Sequence, residues 1–336
     1  MERLSALRNV LQQAAREDIE HVIVAGDLFD KDLEDYSGFE GLCKDHSELT
    51  LHIIPGNHDP QINERIVVGA NIHVYPVPTP LELGDTTFLF IPYRQGMRMG
   101  ETIADLAMQL PRDWILVGHG DYYEGVKEPN ALEPGTYMPL CRGDMEHFRP
   151  QAAFLGHIHK PFEQGRVYGP GSPCGLDITE TGRRRFIIYD TSSKSVSSRY
   201  VETDVIYFDE AFLVVPSEDE LKTLADQASA RIQSWEAEES MHSKIRVRVE
   251  ARGFTSDRSA VDDTLRNAFR RVRFYRDEGP RISELRVASD PQRNAIAKRA
   301  IERIDQLEWG FGGDEPTVDD IRIAALSVIF GDKGKP

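Results

Sequence analysis

The sequence predicts an α/β fold: a sheet whose strands end in ligand-bearing loops, then a small α+β domain, then terminal helices. Three observations predict it. Four short apolar, β-branched runs each lead into glycine and then into Asp, Asn or His. Stretches with the period of amphipathic helices lie between several of these runs. Near Glu202 the style changes to longer strands alternating with long helices. The boundaries read from this are 1–203, 204–289 and 290–336.

In chain order, Glu2 to Asp18 places Leu4, Leu7, Val10, Leu11 and Ala14 on one helical stripe. His21 to Val24 is the first strand and runs into Ala25-Gly26-Asp27-Leu28-Phe29-Asp30. Leu33 to Lys44 is a second helix. The apolar run of Leu49 to Ile54 is stopped by Pro55 and Gly56, which open a loop carrying Asn57, His58 and Asp59. Ile72 to Pro92, with Pro76, Pro78, Pro80 and a Gly84-Asp85 turn, reads as edge strands and a hairpin. A helix over Glu101 to Leu110 precedes the strand Trp114 to Val117, which meets Gly118-His119-Gly120-Asp121. Tyr122 to Gly143, rich in Pro, Gly and Tyr, reads as a long loop over the site. Ala152 to Leu155 is the fourth strand, followed by Gly156-His157-Ile158-His159. Arg166 to Tyr168, Arg184 to Asp190 and Val196 to Val201 read as antiparallel strands closing the first domain.

Beyond Glu202 the pattern gives a strand at Ala211 to Val215 and a helix at Glu218 to Glu238. A strand at Lys244 to Glu250, a helix at Val261 to Phe269 and short strands at Val272 to Tyr275 and Ile282 to Val287 follow. Two helices, Asn294 to Leu307 and Val318 to Phe330, flank a glycine-rich break at Gly310 to Gly313.

A solvated turn uses Asn and Asp as readily as a metal site does, so one such loop decides nothing. Four strand–glycine–ligand units in one chain decide in favour of metal. Asp, Asn and His together suit manganese, iron or zinc rather than a thiolate-bound structural zinc.

In order and spacing, Gly26-Asp27, Gly56-Asn57-His58-Asp59, Gly118-His119 and Gly156-His157-Ile158-His159 resemble the calcineurin-like metallophosphoesterases. Gly26-Asp27-Leu28-Phe29-Asp30 and Tyr168-Gly169-Pro170-Gly171-Ser172-Pro173 look like the DNA-repair exonuclease branch, the SbcD type. The resemblance covers the first two hundred residues well and the rest loosely. It implies a two-sheet β-sandwich flanked by helices, a capping domain that guides DNA, and two divalent metal ions, manganese before iron or zinc. It implies that Asp27 bridges the metals, that Asn57, His119 and His157 complete the second, and that His159 serves the first. His58 would assist the leaving group or the transition state, while Asp30 and Asp59 would orient the imidazoles. The family's opening strand ends in Asp-x-His and gives the first metal two ligands; no Asp-x-His occurs in this chain. The first metal is thus expected to keep only Asp27 and His159.

The resemblance further implies DNA and an SbcC-type ABC ATPase with coiled coils as partners, the terminal helices docking on the ATPase, and admits a homodimer. The net formal charge of −16 argues against nucleic acid on its face. From His242 to Arg286, however, twelve Lys or Arg stand against seven Asp or Glu, leaving −21 elsewhere. Arg270, Arg271, Arg273 and Arg276 in this window are the candidate phosphate contacts. Arg183-Arg184-Arg185 reads as a solvated strand edge, and His21, His52 and His73 as core or edge histidines. Three cysteines without Cys-x-x-Cys spacing, no long apolar run and no basic-then-apolar leader read as a cytoplasmic protein with no membrane contact. Three functions remain open: a metal-dependent DNA nuclease subunit, a phosphodiesterase or phosphatase for small or protein substrates, and a non-catalytic DNA-binding or scaffolding subunit. The last is motivated by the absent Asp-x-His.

Overall fold

The computed structural model describes residues 2–29, 36–123, 135–288, 290–310 and 317–331. The chain divides into two compact units, one of Met1–Cys174 with Arg184–Asp204, the other of Gly175–Arg183 with Val205–Pro336.

The first unit opens with α1 (Glu2–Arg16), β1 (His21–Ala25), α2 (Ser37–Asp45), β2 (Thr50–Ile54) and β3 (Ile72–Val74). These strands form a parallel sheet in the order β1-β2-β3. A larger sheet draws on β4 (Thr79–Leu83), β5 (Thr86–Ile91), β6 (Trp114–His119), β9 (Ala152–Gly156), β10 (Phe162–Gln164) and β11 (Val167–Gly169). Between its strands lie α3 (Met99–Leu106), the short pair β7 (Tyr122–Tyr123) and β8 (Leu140–Cys141), and α4 (Arg142–Phe148). Its order is β10-β11-β9-β6-β5-β4, with a parallel centre of β11, β9, β6 and β5 and antiparallel edges. The hairpin of β12 (Arg185–Asp190) and β13 (Ser195–Tyr200) completes the unit.

Period-two alternation decides how these sheets stack. Ile54 of β2 meets Phe88, Phe90, Ile115 and Val117 of β5 and β6, so the two sheets share an apolar interior. Leu51 and Ile53 point the other way, onto Leu11 of α1 and Phe39 and Leu42 of α2. Leu89, Ile91, Trp114 and Leu116 face outward onto Met99 and Ile103 of α3 and Met145 of α4. The result is a two-sheet sandwich flanked by helices. Strands buried on both faces need near-continuous apolar sequence, which is why β5 and β6 are buried at every residue.

In the second unit β14 (Ile206–Val214), α5 (Glu220–Gln233), β15 (Ile245–Thr255), α6 (Arg258–Ala268), β16 (Arg273–Phe274) and β17 (Leu285–Val287) precede α7 (Pro291–Asp305) and α8 (Val318–Ile329). Its sheet is parallel throughout, with β15 central between β14 on one side and β16 and β17 on the other. Phe208, Phe212, Trp235, Val261 and Phe269 fill its core. Helices start where the sequence supplies side-chain caps: Asp257 for α6, Asp290 followed by Pro291 for α7, and Thr317 for α8. Phe254, Ala297 and Leu326 pack together, so the two last helices share a small core with β15.

Candidate metal centre

The carboxyl ends of β1, β2, β6 and β9 converge, two strands from each sheet, and each contributes one side chain. β1 turns at Gly26, in the left-handed region at φ 86°, and delivers Asp27 at φ 51°. A side chain at Gly26 would collide with the His119 imidazole, and one at Gly56 with the Asp27 carboxylate and amide. His157 is also held at positive φ, 89°. Two non-glycine residues in sparsely populated backbone, both at the site, mark local strain of the kind that surrounding structure must hold in place.

Asp27, His119 and His157 offer ligand atoms within 4.8 Å of one another. Asn57 sits among them: its Oδ1 is 2.8 Å from His119 Nε2 and 2.9 Å from His157 Nδ1. Asp27 accepts a hydrogen bond from the His58 amide (2.8 Å) through Oδ1 and presents Oδ2 3.1 Å from His119 Nε2. Burial pushes the Asp27 carboxyl up, but the His119 imidazole and the His58 amide outweigh it and leave the group below its ordinary value.

The tautomer of His119 tests whether a cation fits. Its Nδ1 lies 2.7 Å from the Ala25 carbonyl oxygen, which only accepts, so Nδ1 carries the proton. In the neutral ring Nε2 then presents a lone pair to two further acceptors, Asp27 Oδ2 and Asn57 Oδ1. One divalent ion among them satisfies all three. Spacings of 2.8 and 3.1 Å also suit the edge of an octahedral shell with bonds of about 2.1 Å, roughly 3 Å. The donor set fits a divalent metal.

Asp121 is a member of the site that sequence reasoning left unassigned. Its Oδ1 lies 3.5 Å from His157 Nε2, and its Oδ2 accepts from the Tyr123 hydroxyl (2.5 Å) and the Tyr137 amide (2.8 Å). A carboxylate behind a ligating imidazole fixes its orientation and raises its basicity. The Gly118-His119-Gly120-Asp121 motif held the signal, because Asp121 follows a ligand by two residues. The Tyr137 ring lies 4.6 Å from that of His157.

Asp59, expected to orient an imidazole, instead binds backbone. Its Oδ1 accepts from the Gly56 amide (2.7 Å) and its Oδ2 from the Phe29 amide (3.2 Å), tying the β1 and β2 loops together. The tight turn at Gly56 brings the Asp59 carboxylate back onto its own loop. Asp30 lies outside the described residues. His58 is half-buried beside Asp27. His159 is not part of the Asp27–His119–His157 group; its carbonyl accepts from Arg184 Nη1 (3.1 Å) and the Ser172 amide (3.1 Å). Arg184 is 3% exposed, so this member of the arginine run is interior rather than a solvated edge. The stretch read as a loop over the site contains β7, β8 and the start of α4, with 124–134 outside the described residues.

In the second unit Arg270, Arg271, Arg273 and Arg276 are all exposed. Arg271 pairs with Glu239, and the Arg276 guanidinium lies 5.1 Å from the Tyr275 ring centre.

Two sheets thus aim a carboxylate, an amide and two imidazoles at one point, a donor set suited to a divalent metal. Residues 1–161 match the family model of calcineurin-like phosphoesterases, which supports a place for this part of the chain in the calcineurin-like metallophosphoesterase superfamily. A relative, the uncharacterized metallophosphoesterase YhaO of Bacillus subtilis (strain 168), is 22% identical over 226 residues, which are 62% of this chain and 54% of that protein. The chain thus spans about half the length of that relative. Among solved structures, a glutamine-dependent NAD+ synthetase from Acinetobacter baumannii in complex with adenosine diphosphate aligns over 98% of this chain and 70% of its own at 11% identity. The TM-score of that alignment is 0.30. Among the described residues no helix is long and apolar enough to cross a membrane.

Proposed function

We propose that the chain is a metal-dependent phosphodiesterase acting on DNA, working as the nuclease subunit of an assembly with an ABC-type ATPase. The observation that carries the hydrolytic reading is the lone pair of His119 Nε2 facing two acceptor oxygens, an arrangement that a divalent cation resolves. A divalent ion held by Asp27, Asn57, His119 and His157 supplies positive charge to a phosphate oxygen and acidity to a nearby water. Asp121 keeps the His157 ring in place, and Asp59 holds the two loops in register. His58, adjacent to Asn57, donates the proton that the leaving oxygen requires.

DNA as the substrate is supported by the local excess of positive charge from His242 to Arg286 in a chain that is otherwise strongly acidic. Arg270, Arg273 and Arg276 are exposed and form no ion pair with a described residue; Arg271 is partly engaged by Glu239. The ATPase partner is supported by apolar side chains that the terminal helices leave exposed, Ile296, Leu307 and Val328. Leu326 and Ala297 are spent on the unit's own core, so these outward residues are a separate face.

The test measures manganese-dependent cleavage of duplex DNA beside hydrolysis of a nitrophenyl phosphodiester. Changing Arg270, Arg271 and Arg273 together to Ala should weaken DNA binding and flatten its dependence on log salt by about 0.9 per lost phosphate contact. The nitrophenyl reaction should be unchanged. An unchanged salt slope removes the DNA assignment. Loss of neither activity on chelation removes the metal assignment.

A further inference from the structure

The outer face of the larger sheet holds a cleft that takes no part in the chemistry above. Its volume is about 430 Å3, in the range that accepts small organic ligands. Ile103, Leu110, Trp114 and Phe148 line it with apolar surface, and Arg112 and Arg149 add two guanidinium groups. Trp114 opens β6, the strand that ends at His119, so cleft and metal centre lie at opposite ends of one strand, about 17 Å apart at ~3.3 Å per residue.

Two features distinguish this cleft from an ordinary surface dent. Neither Arg112 nor Arg149 forms an ion pair among the described residues, although the chain carries 56 Asp and Glu against 40 Lys and Arg; the Arg149 Nε donates to the Glu146 carbonyl oxygen (3.3 Å). Trp114 is 3% exposed and packs with Ile103, Met145 and Leu116 on the outer side of the sheet, which gives the cleft a rigid apolar floor. Arg149 caps α4 in the left-handed conformation, φ 54° and ψ 48°, where glycine is the usual residue. An arginine is therefore kept in backbone that disfavours it, beside an apolar cavity. The Gln151 amide donates to the Trp114 carbonyl (2.8 Å) and fixes the chain after Arg149 against the start of β6.

We propose that this cleft binds a small molecule with a flat apolar body and one carboxylate. The body lies against Trp114 and Phe148, and the carboxylate takes the two guanidinium groups, whose planar fork matches it.

The experiment is calorimetric titration of the full chain with indole-3-propionate and with its uncharged primary amide. The carboxylate should bind at one site per chain, and the amide at least tenfold more weakly. Arg112→Gln and Arg149→Gly should each weaken carboxylate binding about tenfold or more, the scale for losing a charge-assisted contact. Arg149→Gly suits its backbone conformation and so should preserve the fold, checked by circular dichroism. Asn57→Ala, at the metal centre, should leave the affinity unchanged. Equal binding of acid and amide, indifference to both arginine variants, loss of binding in Asn57→Ala, or no heat at millimolar ligand would each overturn the assignment.

Discussion

Asp59 holds two ligand loops through two amides, which makes Asp59→Asn an informative perturbation. The carboxylate bonds Gly56 N at 2.7 Å and Phe29 N at 3.2 Å. Gly56 precedes Asn57, and Phe29 lies two residues beyond Asp27, so each bond anchors one ligand. Burial pushes the Asp59 carboxyl up while the two amides pull it down, and the net direction is up. Asparagine keeps one oxygen, which the shorter Gly56 bond retains. Its NH2 then faces the Phe29 N–H, donor against donor. A buried amide left without an acceptor costs about 1–3 kcal/mol. Asp59→Ala removes both acceptors and should cost about twice that. Misplacing Asp27 by about 1 Å can lower a rate ~100-fold. The assay is urea unfolding by circular dichroism, with manganese affinity and nitrophenyl phosphodiester turnover measured on the same samples. Stability, metal affinity and turnover should all fall in the order wild type, Asn, Ala, with turnover at least tenfold lower for Asn. Folded variants with metal affinity within threefold of wild type would refute the idea that Asp59 sets the ligand geometry.

Three further outcomes are expected. His58→Ala should leave metal content unchanged and lower hydrolysis ~100-fold, the scale of proton transfer by a positioned side chain; loss of metal would make His58 a ligand instead. Metal titration of this chain should reveal about one tightly bound ion, because Asp27, Asn57, His119 and His157 supply one full set while His159 lies outside that group; two tight ions would mean that other residues complete a second site. His52 is buried, with Nδ1 2.8 Å from the Tyr75 hydroxyl and Nε2 3.1 Å from His21 Nδ1, and His73 stacks beside it. Burial first, then the charges of His21 and His73, pull it from 6.5 down to about 4. A base with a depressed folded pKa stabilises the fold fully above 6.5 and loses that contribution as pH falls from 6.5 toward 4. A gap of about 2.5 at 1.36 kcal/mol per pKa unit amounts to about 3 kcal/mol. In His52→Gln this component of the acid-induced loss should vanish, and parallel pH profiles for the two proteins would contradict it.

Much of the candidate site was legible in the sequence because its residues obey local rules. Each of Asp27, Asn57, His119 and His157 follows an apolar strand and sits next to a glycine, so the pattern singled them out, while their roles as ligands are what the family resemblance implies. The helices α6, α7 and α8 were legible for the same reason, since their capping residues and apolar periods are both local. Pairing and contact are different in kind. That β1 and β2 belong to one sheet and β6 and β9 to another follows from the alternation of Ile53 and Ile54, or of Leu116 and Val117, only once both packing partners are present. The sequence presented Asp59 as a carboxylate near imidazoles; the tertiary fold turned it onto the amides of Gly56 and Phe29. It presented Arg183-Arg184-Arg185 as a charged run; the fold took Arg184 inside, onto the carbonyl of His159. It showed His52 as one more strand residue; stacking of two sheets made it a buried base. Strand and helix type, and the pattern that singles out the candidate ligands, are set by residues close in the chain. Which oxygen an amide meets, and which charge loses its water, depend on groups tens to a hundred residues away, and only the closed sandwich brings them together.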